Sequence, residues 1–147
     1  MTIAEKLCLT AAFIFFMTGL LTGIWKYACM AASPKAVAPR YVDVAHRSSL
    51  MYSFAAMLLG WFATYSVFPQ WLNTAAAASA LSFFAFAIAS YVVHGVLKDT
   101  SNQLRKPHRV GRRTLPPVLM VIFMVLLIVA EVGGSAVLGV GALLAVW

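Results

Sequence analysis

Apolar residues in this chain fall into four long runs separated by short polar stretches. Crossing about 30 Å of hydrocarbon at 1.5 Å of helical rise per residue takes roughly 20 residues. The runs from about Leu7 to Met30, Val44 to Phe68, Leu72 to Leu97 and Pro117 to Trp147 all reach that length. They predict an all-α integral membrane protein, an antiparallel bundle of four transmembrane helices that forms one membrane domain over residues 1–147. The first run is too long for a signal-peptide core and shows no small-residue cleavage site before Lys26, so it is expected to be a retained helix.

Polar positions inside the runs sort onto faces when each residue is turned by about 100°. In the second run His46, Ser49, Leu50, Ser53, Met57, Gly60 and Thr64 fall on one stripe that is small or polar. Phe54, Leu58, Trp61 and Phe62 occupy the opposite flank. The stripe is therefore expected to face the bundle interior. In the third run Phe84, Ala87, Tyr91, His94 and Lys98 share a face whose polarity grows toward its end. Consecutive spans run antiparallel, so the start of the second and the end of the third meet one membrane surface. His46, Tyr91 and His94 are then expected to converge, either as a functional site or as interfacial anchors at headgroup depth. Asp43 is the expected N-cap of the second helix.

Composition agrees with the pattern. The chain is 63% hydrophobic and 10% charged, against about 25% charged for soluble domains. Of eleven Lys and Arg residues, ten cluster near the first connection (Lys26, Lys35, Arg40, Arg47) or in the third (Lys98, Arg105, Lys106, Arg109, Arg112, Arg113). Positive loops stay inside, which orients both basic connections toward the cytoplasm and both termini outward in a bacterial-type cytoplasmic membrane. The uncharged turn "FPQWLNT" fits the outer side. The net charge of +7 is then explained by contact with the lipid bilayer and its anionic headgroups, and no nucleic acid partner is expected. Pro107 and Gly111 predict an irregular third connection, and Pro116 and Pro117 suit the first turn of the last helix.

Glu131 is the one carboxylate deep in a span, roughly 21 Å along the last helix, where an unpaired charge costs several kcal/mol. It is either a proton-handling or orienting group, or a neutral acid bonded to a neighbouring helix. Gly133, Gly134, Ser135, Gly139, Gly141 and Ala142, like Gly19 and Gly23 on the first helix, give small surfaces for close helix contact. Cys8 and Cys29 lie about 31 Å apart on one helix, beyond disulfide reach, and read as ordinary buried small residues.

No Walker loop, Ser-His-Asp set, zincin pattern or paired carboxylate is present, and the chain is short for an inverted-repeat transporter. Histidines at the mouth of a helical bundle remain, and membrane bundles hold haem through such side chains. One ligand, His46, would leave an open iron position for Lewis-acid chemistry, whereas His46 with His94 would make a six-coordinate electron carrier. Arg47, next to His46, is placed for a haem propionate or a lipid phosphate.

The "LLTG" end of the first span, the proline-containing loop after it, the Ala-His pair in "VAHRSS" and the tyrosine in "IASYVVHG" resemble the small four-helix membrane isomerases, the styrene oxide isomerase and hydroxylaminobenzene mutase family. The likeness spans the chain in topology and a handful of residues in sequence. It implies haem b ligated by His46 and, forty-five residues on, Tyr91 directed into an active site. It also implies a homotrimer with haem near the subunit interface. The implied reaction opens a small hydrophobic, aryl epoxide on ferric haem and yields a carbonyl compound after a hydride shift. Phe83, Phe84, Tyr52 and Tyr91 are the expected pocket residues, with Tyr91 and Tyr52 as the catalytic candidates and His46, Arg47 and His94 as cofactor-binding ones. The sequence departs from the family in carrying Tyr52 and Ser53 where asparagine and glycine are usual, six residues after the histidine. A phenol lacks the paired donor and acceptor of an amide, which bears on substrate orientation. On the third helix Ser82 is the only early polar candidate. A non-catalytic haem-binding membrane protein and a hydroxylaminobenzene mutase-like isomerase are the alternatives, and a small structural protein without cofactor is the third.

Overall fold

A computed structural model describes residues 1–147 and is all-helical apart from one two-stranded ribbon. The helices are α1 (Ile3–Ala31), α2 (Arg40–Tyr65), α3 (Gln70–Leu97) and α4 (Pro117–Val146). The ribbon, β1 (Arg109–Val110) with β2 (Arg113–Thr114), pairs antiparallel within the α3–α4 connection. Its turn carries Gly111 at φ +59°, a left-handed conformation in which glycine has no Cβ to clash. A stretch expected to be irregular thus gains a short ordered hairpin.

Three helices, α1, α3 and α4, are long and apolar enough to cross a membrane. By composition α2 falls short of the same standard, because Arg40, Asp43 and Arg47 crowd its first two turns and serines follow. Pro39, rather than Asp43, occupies the N-cap position of α2 and makes no side-chain capping bond. Asp43 sits in the first turn, where its carboxylate takes Lys26 at 2.5 Å and the Arg47 guanidinium at 3.9 Å. That ion pair with the end of α1 outcompetes the capping role. Pro116 and Pro117 open α4 as expected, with Pro117 at a position that lacks an intrahelical N–H partner anyway.

The helices alternate in direction, and small residues set their separations. A Cβ on Gly60 would stand 3.1 Å from Cys8, and one on Gly95 would stand 2.9 Å from Trp25 and 3.3 Å from Val42. Ala12, Phe15, Ala56, Leu59, Ala77, Ala80, Leu81, Phe84 and Leu138 fill the common core. The buried face of α2 runs through Tyr41, Val42, Ala45, Ser49, Ser53, Ala56, Leu59 and Ala63. The expected stripe is thus right at Ser49 and Ser53, but Met57 is exposed, as is Thr64. Alanines, invisible to a polarity argument, turn the buried face partway round the helix. Ser49 and Ser53 need no partner helix, since each donates to a carbonyl of its own turn, Ala45 and Leu50.

Helix α4 packs unevenly. Its buried residues, Gly134, Leu138, Gly141 and Ala142, all lie in its second half. There a Cβ on Gly134 would come within 2.5 Å of the Ala76 carbonyl oxygen, so α3 and α4 touch backbone to backbone. At Gly141 the carbonyl accepts from the Val67 N–H at 3.2 Å, tying the α2–α3 turn to α4. Asn73, 6% exposed, secures that turn by donating to the Phe68 carbonyl at 3.0 Å and accepting from Ser66 Oγ at 2.9 Å. In its first half α4 is held off α3 by Phe123, whose ring lies 5.7 Å from Phe83 and 6.5 Å from Phe86. Tight contact at one end and a wedge of aromatic rings at the other leave a space between the two helices.

Candidate functional site

That space is a cavity of about 530 Å³, within the range of roughly 300–1,000 Å³ typical of small-molecule sites. Its walls are mostly apolar, with Phe86, Phe123, Met120 and Met124 among them. Tyr52 reaches it from α2, and Ser90, Tyr91 and His94 border it from α3. Gln103, Val110 and Leu115 of the α3–α4 connection close its polar end. Of the expected aromatic pocket residues, Tyr52 and Tyr91 line the cavity and Phe83 and Phe84 do not. Phe84 instead stacks on Tyr52, with ring centroids 4.4 Å apart, and fixes the phenol at the edge of the cavity. Ser82 is exposed and donates to the Ala78 carbonyl of its own helix.

The polar end is built around the terminus of α3. Lys98 adopts a left-handed conformation, φ +51°, and its N–H donates to the His94 carbonyl at 2.9 Å. This αL cap turns the chain back so that Asp99 meets the helix it has just left. The Asp99 carboxylate accepts from His94 Nδ1 at 2.7 Å through one oxygen and from the Gly111 N–H at 2.5 Å through the other. Burial pushes the Asp99 carboxyl up, but the hydrogen bonds from His94 and Gly111 and the His94 charge outweigh it and hold the group below the usual carboxylate value. His94 is 5% exposed, and Tyr41 of α2 packs 5.2 Å from its ring and 6.1 Å from that of Tyr91. Tyr41 also accepts from the Gln103 N–H at 2.6 Å, while Ser90 donates to the Gln103 side chain at 2.8 Å. Two polar pins therefore fasten the connection over the cavity.

His46 is engaged elsewhere. Its half-buried imidazole donates from Nδ1 to the Gly19 carbonyl at 2.8 Å, and a Cβ on Gly23 would stand 2.9 Å from its Cε1. Six residues at 100° each put Tyr52 roughly 120° round α2 from His46, so the phenol faces α3 while the imidazole faces α1. The structure thus brings Tyr91 and His94 together with Tyr41 and leaves His46 on another face. A bis-histidine set is not assembled within one chain. Arg47 is largely exposed, with Asp43 as its one ionic neighbour.

His46 shares one feature with a single-histidine haem ligand. A metal-ligating imidazole ordinarily donates its second ring nitrogen to a carbonyl or carboxylate, and His46 does so, which leaves Nε2 free. A Cβ on Gly19 would meet Leu50 and one on Gly23 would meet the His46 ring, so α2 already occupies both glycine positions. No cluster of three or more His, Cys, Asp or Glu side chains is gathered for a bare metal ion.

Glu131 stands one turn before the Gly134 contact, and its Oε1 is buried without a hydrogen-bond partner. It lies within electrostatic reach of Tyr52 and Tyr91, the two phenols of the cavity. Sequence reasoning did not single out Asp99, Tyr41, Ser90 or Gln103. Asp99 carried a signal, since it is one of four acidic residues in the chain and follows a helix-terminal histidine by five positions. The other three are ordinary polar residues until the connection folds onto them. Comparison with known protein families, with curated proteins and with solved structures finds no match to the chain.

Proposed function

We propose that the chain is a membrane isomerase of four spanning helices, with α2 as the fourth span, the basic connections cytoplasmic and both termini outward. In this reading it takes a small hydrophobic, aryl epoxide into the α3–α4 cavity and releases the isomeric carbonyl compound, with haem b held by His46. The observation that carries the reading is the cavity itself, aromatic and apolar along its walls, with the phenols of Tyr52 and Tyr91 at its border. An apolar pocket of this kind holds a hydrophobic molecule and supplies a few donors that orient an epoxide oxygen. Tyr91 donates to that oxygen, and Tyr52, fixed by Phe84, stands at the position of the amide usual in the similar isomerases. When bound, haem supplies a Lewis-acidic iron with an open position. Arg47, extended from the same turn as His46, is free to meet a propionate.

His46 lies outside the cavity, so the reading requires the two to be joined across a subunit boundary, which the expected homotrimer supplies. The same separation favours a second reading, a non-catalytic haem-binding membrane protein in which the cavity only binds an apolar molecule. One experiment distinguishes them. The protein is purified in detergent from cells supplied with haem precursor, its absorption spectrum is recorded, and an aryl epoxide is added. The isomerase reading expects a Soret band that His46→Ala removes and His94→Ala keeps, together with conversion to aldehyde that Tyr91→Phe slows. A Soret band without conversion supports the second reading, and the absence of a Soret band sinks both.

A further inference from the structure

His94 is the residue shared by the α3–α4 cavity and a polar cleft at the surface. On one side is the α3–α4 cavity, and on the other a polar surface cleft formed by Pro39, Arg40, Tyr41, Lys98, Asp99 and neighbouring loop residues. The residue is 5% exposed and lies between them. Its Nδ1 is fastened to Asp99, which belongs to the cleft, at 2.7 Å. Its Nε2 has no hydrogen-bond partner in the protein.

We propose that His94 is a proton relay between the cleft and the cavity, exchanging protons with a hydroxyl or oxyanion of the apolar ligand. The proposal rests on the cavity being the substrate site. A carboxylate that clamps Nδ1–H fixes the tautomer, leaves the Nε2 lone pair available and offsets the charge of an imidazolium. A proton leaving a cavity hydroxyl bonds to Nε2, and the positive ring is balanced by Asp99. The Nδ1 proton then passes by way of Asp99 to cleft water and leaves the neutral Nε2–H tautomer, so the ligand has lost one proton, the cleft has gained one, and this tautomer is the donor for the reverse step. The reverse sequence protonates an oxyanion formed in the cavity. No water has to enter.

The groups around the ring suit that task. Tyr41 of α2 packs tilted against it with Tyr91 of α3 stacked on Tyr41, Asp99 of the connection holds it, and Arg40 and Lys98 line the cleft. Helix α4 brings only Leu119, Met120, Phe123, Met124 and Leu127 to the cavity, none of which can take a proton. His94 and the phenols are therefore the proton-exchanging groups on its lining, and His94 is the one that also meets the cleft.

The test uses 2-naphthol, an apolar aryl alcohol of suitable size whose excited state is a strong acid. Bound in a dry site it emits as naphthol, and beside a base it emits as naphtholate. Detergent-purified protein with the probe is compared with Ala87→Trp, which fills the cavity and reports the detergent background. Naphtholate emission above that background is expected for the native chain. His94→Gln is expected to lose it while still binding the probe, and Asp99→Asn to reduce it. Asp99→Asn keeps the test decisive if His94→Gln fails to fold. Native-level naphtholate emission in either variant, or a native signal no greater than that of Ala87→Trp, overturns the proposal. The readout needs no turnover, so a failure of the isomerase reading shows separately, as an aryl epoxide left unconverted.

Discussion

His46 Nδ1 donates to the backbone carbonyl of Gly19 at 2.8 Å, and the ring lies against Gly23 one turn further along α1. The "LLTG" end of the first span and the Ala-His pair of the second are thus two halves of one contact. Gly23→Ala places a methyl 2.9 Å from the ring. It is expected to turn the imidazole away, to lower stability by about 1–3 kcal/mol through overpacking and, on the proposed haem reading, to weaken haem retention. Thermal unfolding in detergent and the Soret intensity measure the two effects.

The neighbouring glycines of α4 should behave oppositely. Gly133 faces open space, with nothing within 4 Å of an added Cβ, whereas Gly134 meets the Ala76 carbonyl oxygen. Gly133→Ala is expected to be neutral or to stabilise by up to about 1 kcal/mol, because alanine restricts the unfolded helix. Gly134→Ala is expected to force α4 off α3 and cost about 1–3 kcal/mol. Unfolding midpoints of the two variants side by side decide the matter, and equal shifts would contradict the packing described above.

Tyr52→Asn introduces the amide that the proposed isomerase reading expects at this position. It removes the ring stacked on Phe84 at 4.4 Å. The lost aromatic pair contributes about 0.5–1.5 kcal/mol, and the space left beside Phe84 adds to the cost. A lowered melting temperature is expected and, on the proposed isomerase reading, a change in which epoxides are converted. An unchanged melting temperature would show that the stacking carries no weight.

Asp99 links the α3–α4 connection to acid. Its folded pKa lies below the ordinary value of 3.8, so the carboxylate contributes stability that is complete above that value. The contribution is lost as pH falls through the lower folded value. Melting temperatures measured down to about pH 3 should therefore decline in the native chain below roughly pH 4, with a shallower decline in Asp99→Asn. The opposite order would mean that the hydrogen bonds from His94 and Gly111 do not favour the ionised form.

Tyr41→Phe removes the acceptor of the Gln103 N–H and should cost about 0.5–1.5 kcal/mol. Loosening of the connection is expected to appear as faster tryptic cleavage after Arg105. Cleavage at the native rate would show that the second pin, from Ser90, suffices alone.

The apolar runs alone determined that the chain forms four long helices in this order, and the helix ends fall within about four residues of those runs, since burial of backbone polar groups leaves a long apolar segment little choice but a helix. Proline positions fixed the start of α4 for a local reason, the missing N–H. Which way each helix faces was only half legible. Ser49 and Ser53 lie inside as their small size suggests, but the turning of α2 is decided by Ala45, Ala56 and Ala63, whose value lies in how closely a neighbour can approach. The site was legible one residue at a time, in Tyr52, Tyr91 and His94, and not as a set. Tertiary structure alone separated His46 from the cavity and brought Asp99, Tyr41 and Gln103 to its polar end, because those contacts depend on helix rotation and on a left-handed turn at Lys98. Periodicity records which residues share a face, and only packing decides which neighbour that face meets.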